Sequence, residues 1–133
     1  MSLRLSILAL VAVLAELGGC AQPPINPAAP VGLLDVAERP AEKALLAGMR
    51  AYDDAQYPQA EKNLQAALQA GLVSPRDRAE AHKLLAFIFC TSNRASDCEA
   101  QFRAARAADP GFALSKSEAG HPLWGPVYQR VQR

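Results

Sequence analysis

The spacing of apolar and polar positions changes character twice along the chain. From Leu5 to Ala15 the residues are apolar except for Ser6. A helix of that length rises only about 16 Å, short of a ~30 Å hydrocarbon core. With Arg4 in front of it, the run predicts the centre of an export signal over residues 1–19 rather than a membrane span. Periodicity then disappears. Pro23, Pro24, Pro27 and Pro30 punctuate residues 21–39, which can neither propagate a helix nor donate a full ladder of hydrogen bonds. That stretch predicts a semi-extended tether spanning at most ~60 Å at ~3.1 Å per residue, in which Leu33, Leu34 and Val36 are apolar enough to begin docking on the domain. From Pro40 onward the spacing is helical. It predicts helices over Ala41 to Asp54, Pro58 to Ala70, Pro75 to Thr91 and Ala95 to Ala108. Gly71 supplies a stop, and Ser74, Pro75 and Asp77 supply a start. Asp109-Pro110-Gly111 breaks the last helix, and Ser115 with Glu118 three residues later offers a capping box. Short connections imply antiparallel neighbours.

Composition sharpens this picture to an all-α fold. The 133 residues include 27 alanines and 17 leucines, both strong helix formers, while strand-favouring types are few. The length allows one domain at most, here residues 40–133. Fourteen Lys and Arg against thirteen Asp and Glu give a net charge of +1, which lacks the basic surplus of a nucleic-acid binder.

A repeat is visible inside the helical region. Gly48, Tyr52, Tyr57, Ala60, Leu64 and Ala67 align with Ala86, Cys90, Ala95, Cys98, Phe102 and Ala105 at a constant offset of 38 residues. Small residues at a helix crossing let two axes approach at the short end of the ~8–10 Å range. This arrangement resembles the tetratricopeptide repeat. The resemblance implies two such helical hairpins, with Gly71–Pro75 as a short insertion between them. Leu123, Trp124, Val127, Tyr128 and Val131 fall at helical spacing, so a helix opened by Pro122 is expected to cap the stack. Carrying over the repeat's groove positions gives Glu42, Leu45, Met49, Tyr52 and Asp53 in the first unit. The second unit contributes Glu80, Lys83, Phe87 and Thr91, and Trp124 is a further partner-binding candidate.

Leu17-Gly18-Gly19-Cys20, placed after the apolar run, resembles the lipobox of bacterial lipoproteins. The resemblance implies cleavage before Cys20, acylation of its thiol, and sorting to the outer membrane because Ala21 rather than aspartate follows. The remaining cysteines, Cys90 and Cys98, lie late on one predicted helix and early on the next, so they face one another near the turn. In an oxidising compartment they are expected to form a structural disulfide, worth about 2.5 kcal/mol in the chain-entropy model. His82 and His121 share no ligand spacing with each other or with Cys90, so neither a metal nor a cofactor is expected. No nucleophile-elbow sequence or phosphate-cradling loop is present, which argues against an enzyme.

Finally, Ala41–Gly71, Ala79–Phe89 with the cysteine pair, Ala107–Phe112 and Ala119–Val127 resemble the small TssQ-type lipoproteins associated with type VI secretion. The resemblance implies a periplasm-facing accessory lipoprotein that binds an envelope protein or peptide, such as a component of that apparatus. The alternative is an envelope-maintenance lipoprotein that binds peptidoglycan or an assembling outer-membrane protein.

Overall fold

Six helices and no strand make up the described part of the computed structural model, which covers residues 39–133. The signal segment, Cys20 and tether positions Leu33, Leu34 and Val36 lie outside the described residues. Helix α1 spans Pro40–Asp53, α2 Tyr57–Ala70, α3 Pro75–Thr91 and α4 Ala95–Ala108. A single turn, α5, spans Lys116–Ala119, and α6 spans Gly125–Val131. The predicted caps are in place. Gly71 closes α2 with φ 88°, and the Ser74 side chain accepts the Asp77 amide at 3.2 Å at the start of α3. Among the described residues no helix is long and apolar enough to cross a membrane.

The 38-residue offset extends from side chains to backbone. Helices α1 and α2 form one antiparallel hairpin, α3 and α4 the other, and α2 packs on α3 to join them. Ala60, Leu64 and Ala67 of the first hairpin are fully buried, as are Cys98, Phe102 and Ala105 of the second. Each hairpin turns through a left-handed residue, Ala55 (φ 57°) and Asn93 (φ 63°). In the first turn Gln56 N–H donates to Ala51 C=O; in the second Arg94 N–H donates to Phe89 C=O, both at 2.8 Å. These are the six-to-one bonds of a helix C-cap that reverses the chain. Gly48 marks the crossing of α1 and α2, where a Cβ would stand 2.8 Å from Leu64 Cγ.

The two hairpins lock their ends differently. Tyr52 and Tyr57 meet edge to face, 5.6 Å between centroids, across the first. Cys90, the counterpart of Tyr52, is joined to Cys98 by a disulfide with Cα atoms 5.2 Å apart in the second.

The cap differs from expectation at its start. The final helix begins at Gly125 rather than Pro122, and Leu123 is 54% exposed instead of lining a buried stripe. The reason is Pro126, which has no N–H for the Pro122 carbonyl and whose ring would clash with that carbonyl inside a helix. Pro126 therefore sits in the first turn. The expected capping box opens α5: Ser115 Oγ accepts from Glu118 N–H, and the Glu118 carboxylate accepts from Ser115 N–H at 2.8 Å. Val127, Tyr128 and Val131 of α6 are buried, with α6 packed on α4.

Candidate binding site

The groove positions of the two repeats have different fates. In α1, Leu45 is a core residue, and Glu42 is buried with its carboxylate 3.7 Å from the Arg39 guanidinium. Met49 is half-buried against the core. Tyr52 is also half-buried, and burial first, then the neighbouring Tyr57, raises its hydroxyl pKa above the usual phenol range. Asp53 and Thr91 are exposed at helix ends.

In α3, the chain's own C-terminal segment covers the equivalent stripe. Phe87 is only 4% exposed and stacks on Trp124 at 4.2 Å between centroids. Trp124 is stacked in turn by His121 at 3.3 Å, and its indole N–H donates to the Glu118 carbonyl at 2.7 Å. Phe87 and Trp124 are thus turned towards one another and not outward. Their burial follows from aromatic area and stacking geometry, a pairing between distant positions that helical periodicity does not encode.

Lys83 ties this segment down. Its ammonium donates to Glu118 at 3.0 Å and lies 2.9 Å from the Glu80 carboxylate, with the Phe87 ring 5.9 Å away. Burial pulls the Lys83 pKa down, but the hydrogen bonds it donates to Glu80 and Glu118 outweigh it and leave the pKa raised. Burial likewise pushes Glu118 up, yet its bond from the Ser115 amide and its pairing with Lys83 hold it below the usual carboxylate range. The pair is charged and hydrogen-bonded on both sides, as a part-buried ion pair requires.

What stays open is a groove of about 560 Å³ beside this pair. One wall is α3, through Arg76, Glu80 and Lys83; the other is the non-helical stretch Asp109–Ser115, with Phe112 and Leu114. Tyr128 fixes the second wall. Its hydroxyl accepts the Leu114 amide at 3.0 Å, and its ring meets Phe112 edge to face at 6.2 Å. Arg76 is exposed and forms no ion pair among the described residues. Of this lining, only Glu80 and Lys83 stood among the sequence candidates. The signals for the rest were Asp109-Pro110-Gly111 and the capping box, which bracket a non-helical run after α4; its place beside α3 comes from the structure.

The described residues contain no cluster of three or more metal-ligating side chains. His82 instead meets Gln101 at 2.7 Å, linking α3 to α4. Cys20 lies outside the described residues. The chain matches no protein-family model, no curated protein and no solved structure. The helical hairpins and the disulfide-linked pair fit a helical repeat protein on geometry alone.

Proposed function

We propose that this chain is an outer-membrane lipoprotein, anchored through acylated Cys20 and facing the periplasm, that serves as a protein-binding adaptor or accessory component of a type VI secretion system. The groove between α3 and Asp109–Ser115 carries this reading. A small-molecule pocket is mostly apolar and encloses its ligand. This groove is open, mixes apolar Phe112 and Leu114 with charged Arg76, Glu80 and Lys83, and has one non-helical wall. Such a lining suits a polypeptide segment that places an apolar side chain beside Phe112 and a carboxylate on Arg76.

Two measurements test the reading. Cys20→Ser should release the chain from the membrane fraction, because a stable anchor needs the acyl chains. Affinity capture from envelope extracts with the full chain should bring down a secretion component. Arg76→Glu with Phe112→Ala should weaken that capture by about 30-fold or more, the scale of an interface hot spot near 2 kcal/mol. Capture of muropeptides or barrel proteins instead would favour the envelope-maintenance role, and capture unchanged by the double variant would move the site off this groove.

A further inference from the structure

The ends of the two-hairpin stack are unlike. At the C-terminal end α6 packs on α4 and buries Val127, Tyr128 and Val131. On α1, a stripe at spacing i, i+3, i+4, i+7 is open: Lys43, Leu46, Ala47 and Arg50 are all exposed, with Leu46 at 41%. Among the described residues these four side chains line a concavity of about 290 Å³. The stripe has an apolar centre with a cation at each end, and neither cation pairs with a carboxylate among the described residues.

We infer that residues 31–38 of this same chain dock on that stripe. The segment ends where α1 begins, so chain connectivity holds it close. Leu46 lies about 10 Å along the helix from Arg39, while the five residues from Leu34 to Glu38 reach up to ~16 Å when extended. A reversal ahead of Arg39, which is itself extended, would bring Leu34 alongside Leu46. The chemistry is complementary. On one face of an extended segment, Leu34 and Val36 are apolar, matching Leu46 and Ala47, and Glu38 is acidic, matching Lys43 at the near end of the stripe. Docking shortens the free tether from residues 21–39 to residues 21–30, about 31 Å of polyproline-like chain instead of ~60 Å. It therefore sets how far the domain reaches from the residue-20 end, whatever that end is attached to.

A photoreactive amino acid at position 46 of the full-length chain tests this directly. Irradiation in cells followed by peptide mapping should give an intrachain adduct between position 46 and residues 31–38. The same probe at exposed Ala100 on α4, an element that does not touch α1, should give none. Leu34→Asp with Val36→Asp should abolish the adduct. An adduct to a second copy or another protein, an adduct that survives the double substitution, or no adduct at all would overturn the inference. None of these results depends on the groove beside α3 or on the adaptor reading.

Discussion

At Gly48 the missing side chain sets the distance between α1 and α2. A Cβ there would meet Leu64 at 2.8 Å on Cγ and 3.1 Å on the amide nitrogen, and Leu64 is fully buried with no room to swing. Alanine gains up to ~1 kcal/mol in helix propensity over glycine, but overpacking a closed contact costs about 1–3 kcal/mol. Gly48→Ala is therefore expected to lower unfolding free energy by about 1 kcal/mol in urea titration. Ala55 carries the opposite opportunity. It holds φ at 57°, a left-handed backbone that an L-residue with a Cβ adopts at a cost of about 1 kcal/mol and glycine adopts freely. Ala55→Gly should raise stability by about 0.5–1 kcal/mol, measured the same way. Asn93, its repeat counterpart (φ 63°), is a residue type that tolerates this region, whereas alanine is not. Glu118 contributes through charge. Its folded pKa is depressed, so its contribution is present above the ordinary glutamate pKa near 4.3 and is lost as pH falls through the folded value. Glu118→Gln should cost about 1 kcal/mol at pH 7 and flatten the acid limb of the stability profile below pH ~4. The raised Lys83 contributes below its ordinary pKa and loses that contribution only as pH rises past its folded value, far from neutrality.

Whole helices were more legible than their ends and the segments between them. The four long helices fall where apolar spacing and caps place them: α1, α2 and α3 start or stop at Pro, Ser or Gly, α4 ends just before Pro110, and only α3 is buried all round, from Leu84 to Phe89. The final helix was misplaced by three residues because the stripe through Leu123 looked continuous, while Pro126 forbade the hydrogen bond that continuity needs. The hairpin locks can be compared by experiment. Cys98 is the counterpart of Ala60, and both are fully buried, so alanine at position 98 leaves little void. Cys90→Ala with Cys98→Ala is expected to keep the helical fold and lose about 2.5 kcal/mol, the entropy of an open loop closing eight residues apart. Equilibrium unfolding followed by circular dichroism, with and without reductant, should show wild type under reductant falling to the level of the double variant. A variant that loses helicity outright would mean the cysteines pack rather than merely link. Tyr128 adds a second lock, since it alone satisfies the Leu114 amide. Tyr128→Phe should destabilise by about 1 kcal/mol and loosen the groove wall, seen as faster hydrogen exchange at Leu114.

For the molecule as a whole, the question is how two repeats manage alone. Repeat arrays bury each unit against its neighbours and normally need three or more units, so a pair leaves too much apolar surface at its ends. Here residues 109–131 stand in for a third unit at the C-terminal end. Tyr128 lies against Phe102 at 5.3 Å, and Trp124 covers Phe87. The sequence showed that a cover was needed and named its aromatic residues. It did not show that the cover would occupy the α3 stripe offered as a binding groove, because that depends on a contact between residues 37 positions apart. Val127, Tyr128 and Val131, at about 1.5–3 kcal/mol for each buried side chain, contribute on the order of 4.5–9 kcal/mol, and half-buried Trp124 adds to it. That is the size of a small domain's entire stability. Ending the chain after Leu114 is therefore expected to abolish cooperative unfolding, with most helical ellipticity lost and dye-accessible apolar surface gained at 25 °C. The milder Trp124→Ala should keep the fold, lose about 3 kcal/mol and expose Phe87. If the truncated chain still unfolds in one sharp transition, the hairpin pair is self-sufficient, and the C-terminal segment is a removable occupant of the α3 stripe rather than part of the core.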